Sequence, residues 1–320
     1  MVGGYAYILD CFGFLHTAGV SDPTNPKPLG SIKVSNNAYS LFVLGNYAYV
    51  ANFGGGFKIV DVSNPKNPQM AGSLKDANKG AMPDNPNSVV VAGAYAYVAG
   101  DNVLQIVNVK DPANPYSVGW LKHNQNGAKL KGAYKVVVDK AQRYAYVVSV
   151  GSNALQIVDI QNPAFPTPAG SLNLGSYTGS VDDYDLSIAV SGDYAYVTRD
   201  GVSSADDALD IIDVKNPNNP KLISTLKHRE GGALLAGAYK VVVVGDYAYV
   251  ASVDSQALEI VNVSDRTKPK HHASLRNGKM NALLYTPCFI AVVGEHAFIL
   301  DGGFMALQIV KLTEPGASPR

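Results

Sequence analysis

The stretch GDYAYVTRDGVSSADDALDIIDVKNPNNP, residues 192–220, contains a short run of alternating aromatic and small residues, a polar loop, a β-branched run and a proline-rich phrase. It reads as strand, loop, strand and turn. The same paragraph recurs along the whole chain. YAYV begins at Tyr5, Tyr47, Tyr95, Tyr144, Tyr194 and Tyr247 and returns as HAFI at His296. Self-similarity at this period is the signature of propeller blades or a comparable array, and it outranks any local assignment.

Each copy carries a second strand, written FKIVDV, LQIVNV, LQIVDI, LDIIDV, LEIVNV and LQIVKL, with a degraded first version around FLHTAGV. Most of these run into a phrase such as SNPKNP or KDPANP. Proline fixes φ and Asn or Asp closes an Asx turn, so the phrase is a stiff reversal. A segment such as MAGSLK or LISTLK follows, and one such as SLFVL or SVVVA precedes each YAYV. Four short strands per unit make an antiparallel blade, with strands A (SLFVL), B (YAYV), C (FKIVDV) and D (MAGSLK). In YAYV the tyrosines face one side and Ala and Val the other, so a large face can stack on the small face of a neighbouring blade. The expected fold is all-β: a seven-bladed β-propeller occupying residues 1–320 as one domain. Strand A is missing from the first copy and strand D from the last, so the seam between those blades is incomplete. Neighbouring sequence of a longer polypeptide, or a partner chain, is expected to cover it, because a bare strand edge is an aggregation hazard.

LQIVDIQNPAFP with GDYAYV-type strands upstream resembles the LVIVD-repeat family of β-propellers, over essentially the whole chain. The resemblance implies an extracellular or cell-surface protein of bacterial or archaeal type and no assigned reaction. It supplies no catalytic motif.

Composition narrows the partners. Lys plus Arg equals Asp plus Glu at 26 each, so no net field gathers nucleic acid or an anionic membrane. The longest uncharged run, NPNSVVVAGAYAYVAG, is too short to span a bilayer as a helix and is broken by Asn, Pro and Gly. A soluble chain with no transmembrane segment is expected, and no basic and apolar leader opens the sequence.

Function is expected on the face that carries the D-to-A and B-to-C connections. There the copies differ most: DANKGAMPDNPN, HNQNGAKLKGA, GSYTGSVDDYD, HREGGALLAGA and NGKMNALLYTPC. On this face His123 and His228 occupy matching places, as do Lys135 and Lys240, with Lys131 and Arg229 nearby. Together they form a candidate ligand-binding set. Asp182, Asp183, Asp185, Asp200, Asp206 and Asp207 concentrate carboxylates in the fifth blade, a candidate calcium site, since calcium wants six to eight oxygens. No other cofactor is indicated. Cys11 and Cys288, the only cysteines, map to adjacent ends of the expected ring and form a candidate disulfide.

No G-x-S-x-G elbow, H-E-x-x-H pair or Walker loop is present, and GGG at residues 54–56 precedes a strand rather than a helix. The leading expectation is a non-catalytic interaction scaffold for a protein or a surface glycan. The alternative is a propeller enzyme acting on a polysaccharide, as hydrolase or lyase, at the same face.

Overall fold

The computed structural model describes residues 3–10, 12–36, 38–52, 56–74, 85–175, 186–199, 201 and 203–312. The strands form seven successive antiparallel sheets, the arrangement of a seven-bladed β-propeller, and no α-helix occurs among the described residues. By contacts the chain divides into two compact units, Met1–Leu174 and Gly175–Arg320.

The first unit holds four sheets. Blade 1 is β1 (Tyr5–Leu9), β2 (Phe14–Gly19) and β3 (Lys27–Lys33). Blade 2 is β4 (Ala38–Leu44), β5 (Tyr47–Asn52), β6 (Gly56–Asp61) and β7 (Gln69–Leu74). Blade 3 is β8 (Pro86–Ala92), β9 (Tyr95–Gly100), β10 (Val103–Asn108) and β11 (Tyr116–Lys122). Blade 4 is β12 (Ala133–Val138), β13 (Tyr144–Ser149), β14 (Ala154–Asp159) and β15 (Thr167–Asn173).

The second unit holds three. Blade 5 is β16 (Ile188–Ser191), β17 (Tyr194–Arg199), β18 (Ala208–Asp213) and β19 (Lys221–Lys227). Blade 6 is β20 (Ala238–Val244), β21 (Tyr247–Ser252), β22 (Ala257–Asn262) and β23 (Lys270–Arg276). Blade 7 is β24 (Pro287–Val293), β25 (His296–Asp301) and β26 (Ala306–Lys311). Among the described residues, the first blade therefore has strands B, C and D, and the last A, B and C.

Alternation along YAYV builds the core. In the first unit Tyr49, Ala51, Phe57 and Ile59 of blade 2 pack against Val89, Val91, Ala96 and Val98 of blade 3. In the second, Tyr249, Leu258 and Ile260 of blade 6 meet Ile290, Ala297 and Ile299 of blade 7. In each case aromatic and long aliphatic side chains of one blade lie on Ala, Val and Ile of the next. Neighbouring inner strands are also tied by hydroxyls: Val89 N–H donates to Ser40 Oγ and Val136 N–H to Ser88 Oγ, both at 3.2 Å.

The C-to-D reversals are paired Asx turns. Asp61, Asn108, Asp159, Asp213 and Asn262 each accept, through Oδ1, the N–H two residues on. Asn64, Asp111, Asn162, Asn216 and Asp265 repeat the bond inside the turn proper. This local chemistry explains why the chain writes Asp or Asn at both places.

Within each unit, turns also touch the strand D of the preceding blade. A Cβ on Gly30, Gly72 or Gly119 would lie 2.6, 2.1 or 2.3 Å from the carbonyl oxygen of Lys66, Pro112 or Pro163 of the next blade, so only glycine fits there. In the second unit Ser224 takes the place and donates from Oγ to Arg266 O at 2.6 Å.

Candidate interaction surface

The D-to-A loops after blades 3, 5 and 6 share one construction. Each holds a 3-10 turn, at Gln125–Gly127, Glu230–Gly232 and Lys279–Asn281, preceded by a left-handed residue: Asn124, Arg229 or Gly278. His123 Nδ1 accepts Leu130 N–H at 3.2 Å, and His228 Nδ1 accepts the N–H groups of Leu235 and Ala236, both at 3.0 Å. Asn277 Oδ1 does the same for Leu284 N–H at 3.1 Å. A second acceptor comes from strand C of the following blade. Gln156 takes Lys129 N–H at 2.7 Å, Glu259 takes Leu234 N–H at 3.2 Å, and Gln308 takes Leu283 N–H at 3.1 Å. The loops are therefore fastened at two points, and an acceptor, whether His or Asn, is what the first point requires.

The residues singled out from sequence fall in both units. His123, Lys131 and Lys135 lie in the first. Lys131 is exposed, its N–H donates to Ser152 Oγ at 3.0 Å, and Lys135 Nζ lies 4.5 Å from the Tyr134 ring centroid. His228, Arg229 and Lys240 lie in the second. Burial holds His228 below the usual histidine value, and Arg229 and Arg276 push it the same way. Lys240 Nζ sits 5.7 Å from the Phe289 ring centroid, and desolvation lowers its ammonium.

Of the acidic set, Asp182, Asp183, Asp185 and Asp200 lie outside the described residues. Asp206 Oδ2 accepts from Ser203 Oγ at 3.0 Å. Asp207 is buried, with one carboxylate oxygen taking Gly201 N–H at 2.7 Å and the other Gly237 N–H at 2.9 Å. Its role is to join two loops. Among the described residues no group of three or more His, Cys, Asp or Glu side chains could hold a metal ion. Cys288 sits in β24, its thiol donating to Leu300 O at 3.5 Å and pushed up in pKa by burial. Cys11 lies outside the described residues.

The feature that sequence reasoning missed is in blade 7. Met280, Leu283 and Tyr285 from the D-to-A loop, and Phe304 and Met305 from the B-to-C loop, are all exposed, Met305 at 82% and Met280 at 67%. The loops are held together from below. Asp301, 2% exposed, accepts Thr286 N–H through Oδ2 and Phe304 N–H through Oδ1, both at 2.8 Å. Above that clamp Tyr285 and Phe304 touch, and a Cβ on Gly303 would lie 2.6 Å from Tyr285 Cδ1.

Backbone conformation marks the two methionines further. Met280 and Met305 both have φ of 50°. At the corresponding turns other blades place Asn126 or Gly231, and Asn153 or Gln256, also at positive φ. Left-handed backbone favours Gly and Asn, and a long apolar side chain gains nothing there by packing when it is exposed. The signal in sequence was two methionines at turn positions where sister copies are polar.

Several solved structures share the fold. Hydrazine synthase from Kuenenia stuttgartiensis is 14% identical with a TM-score of 0.72, covering 97% of this chain and 93% of that one. A periplasmic gluconolactonase from Pseudomonas aeruginosa is 13% identical at a TM-score of 0.72, covering 96% and 90%. A hypothetical selenium-binding protein from Sulfolobus tokodaii is 10% identical at 0.74, covering 99% and 88%. Likeness at such identities speaks for architecture alone. Among curated proteins, none matches the chain. The LVIVD repeat model matches residues 35–76, 85–121, 132–173, 184–227 and 237–275, well over half of the sequence. With five matched repeats, the chain belongs to the LVIVD-repeat family.

Proposed function

We propose that the chain is a non-catalytic interaction module, acting outside the cytoplasm or at the cell surface, that binds another protein through the loops of blade 7. The observation that carries this reading is the exposed cluster of Met280, Leu283, Tyr285, Phe304 and Met305 on two loops clamped by Asp301. Aromatic anchors and methionines are enriched at the centres of protein interfaces, and methionine adapts its shape to a partner. A preformed platform also avoids the entropy cost of ordering loops on binding. Arg276 and Lys279, both exposed, flank the cluster and favour a partner with an acidic rim. The placement outside the cytoplasm rests on the character of the repeat family.

The test is affinity capture from the cell-envelope fraction, with the native chain and a Phe304→Ser/Met305→Ser variant as baits, followed by binary titration of the purified captured protein. Retention by the native chain, with affinity weakened about tenfold or more in the variant, is the expected result. A protein held equally by both baits, or recovery of polysaccharide alone, would overturn the reading.

A further inference from the structure

The turn between β22 and β23 departs from its counterparts in composition. Blades 2 to 5 write SNPKNPQM, KDPANPYS, QNPAFPTP and KNPNNPKL, whereas blade 6 writes SDRTKPKHH at residues 264–272. There Ser264, Asp265, Lys268, Lys270, His271 and His272 line a depression of about 220 Å³. Its lining comes from the C-to-D turn and the start of β23.

Two acceptors in this depression are already occupied. Asn262 Oδ1 takes Ser264 N–H at 2.9 Å and Oγ–H at 2.7 Å, and Asp265 Oδ1 takes Thr267 N–H at 2.9 Å and Oγ1–H at 2.6 Å. The donors are not. Among the described residues neither Lys268 nor Lys270 has a carboxylate at ion-pair distance. His271 is held from behind, its Nδ1 lying 2.6 Å from Oε1 of Glu259, which is fully buried. His272 packs on Tyr247, with ring centroids 5.0 Å apart. A concavity with surplus cationic donors suits an anion.

We propose that this depression is a site for a tetrahedral oxyanion, phosphate or sulfate, in which Lys268 and Lys270 supply charge and Glu259 acts as a positioning residue that keeps His271 oriented. Other charges around the pair are Arg276 on β23, which acts on Glu259, and Asp265, Lys268 and Lys270 of the turn. The turn Glu230–Gly232 packs against β23, with Gly232 beside the His271 ring and the Glu230 carboxylate taken by Lys227 N–H. The oxyanion could arrive free or as an ester on a sugar, and the chemistry at the depression is the same.

Calorimetric titration of the full chain with inorganic phosphate and sulfate tests the site. Saturable millimolar binding is expected. Lys268→Ala/Lys270→Ala is expected to abolish it. Glu259→Gln, which keeps an oxygen acceptor beside His271, should retain both the binding and the fold, because Gln105, Gln156 and Gln308 stand at the same place in blades 3, 4 and 7. A sulfated oligosaccharide binding more tightly than sulfate, and competing with it, supports the site and identifies the esterified source; equal affinities support it with the free ion. Absence of saturable heat with both ions, or affinity unchanged in the double lysine variant, would overturn the proposal.

Discussion

Tyr285 and Phe304 meet edge to face, with ring centroids 5.8 Å apart and planes inclined at 62°, across two loops that Asp301 ties from beneath. Such a pair contributes about 1 kcal/mol beyond its buried area, so Tyr285→Ala should cost about that much in denaturant unfolding. Met305 should behave in the opposite sense. With φ of 50° and 82% exposure, it holds a backbone conformation that asparagine tolerates better. Met305→Asn is expected to raise stability by up to about 1 kcal/mol while weakening partner binding. A destabilised Met305→Asn chain would contradict this account.

His228 makes one loop sensitive to acid. Its Nδ1 can accept from Leu235 and Ala236 only while unprotonated, and its folded pKa is depressed, chiefly by burial. The unfolded chain therefore binds the proton more readily, and stability rises with pH through this window. The contribution is complete above the ordinary histidine value of about 6.5 and is lost as pH falls through the lower folded value. Amide exchange at Leu235 and Ala236 should speed up, beyond its intrinsic change, on going from pH 7 to pH 5. His228→Asn, which copies Asn277, should keep the protection and remove its pH dependence.

Glu259 acts with the reverse sign. Burial pushes its carboxyl up to about 7 from 4.5, against the lowering bond from His271. Between those values the folded chain binds more protons than the unfolded one, so this contribution is complete below about 4.5 and is lost as pH rises through about 7. Unfolding midpoints of the native chain and Glu259→Gln, compared at pH 5 and pH 8, should diverge in favour of the variant at the higher pH. The difference should be at most a few kcal/mol.

Gly72 leaves no room for a side chain, since a Cβ would sit 2.1 Å from Pro112 O, a backbone atom. Gly72→Ala must push the blade 3 turn away and should cost about 1–3 kcal/mol, measured by denaturant unfolding. Gly45, with open space around its Cβ position but φ of +57°, offers a contrast in which backbone strain alone acts. Gly45→Asn should therefore be the milder change.

Much of the architecture was legible because its causes are local. The alternation in YAYV and the Asp or Asn of IVDV and SNPKNP act within a few residues of themselves, through strand geometry and Asx bonds. The glycine of MAGSLK was visible too, but its reason, the carbonyl of Pro112, belongs to the next blade. The candidate site was less readable for the same cause. His123 and His228 stood out as recurring, yet only geometry shows Nδ1 serving the backbone, a duty Asn277 performs equally well. Met280 and Met305 become conspicuous once the left-handed backbone beneath them is known. Asp301 looked like an ordinary strand end, and its two bonds to separate loops exist only in three dimensions.

The contact between a small strand D residue and the following turn is repeated from blade to blade, through Gly30, Gly72, Gly119 and Ser224. Stability in such an array is close to a sum of unit and nearest-neighbour terms. Each joint is thus a standard fitting, and a copied paragraph arrives already carrying both halves of it. Gene duplication can then lengthen or rewrite the chain without inventing a new seam. Loop tips far from the joint are free to drift, as the methionines of blade 7 have done.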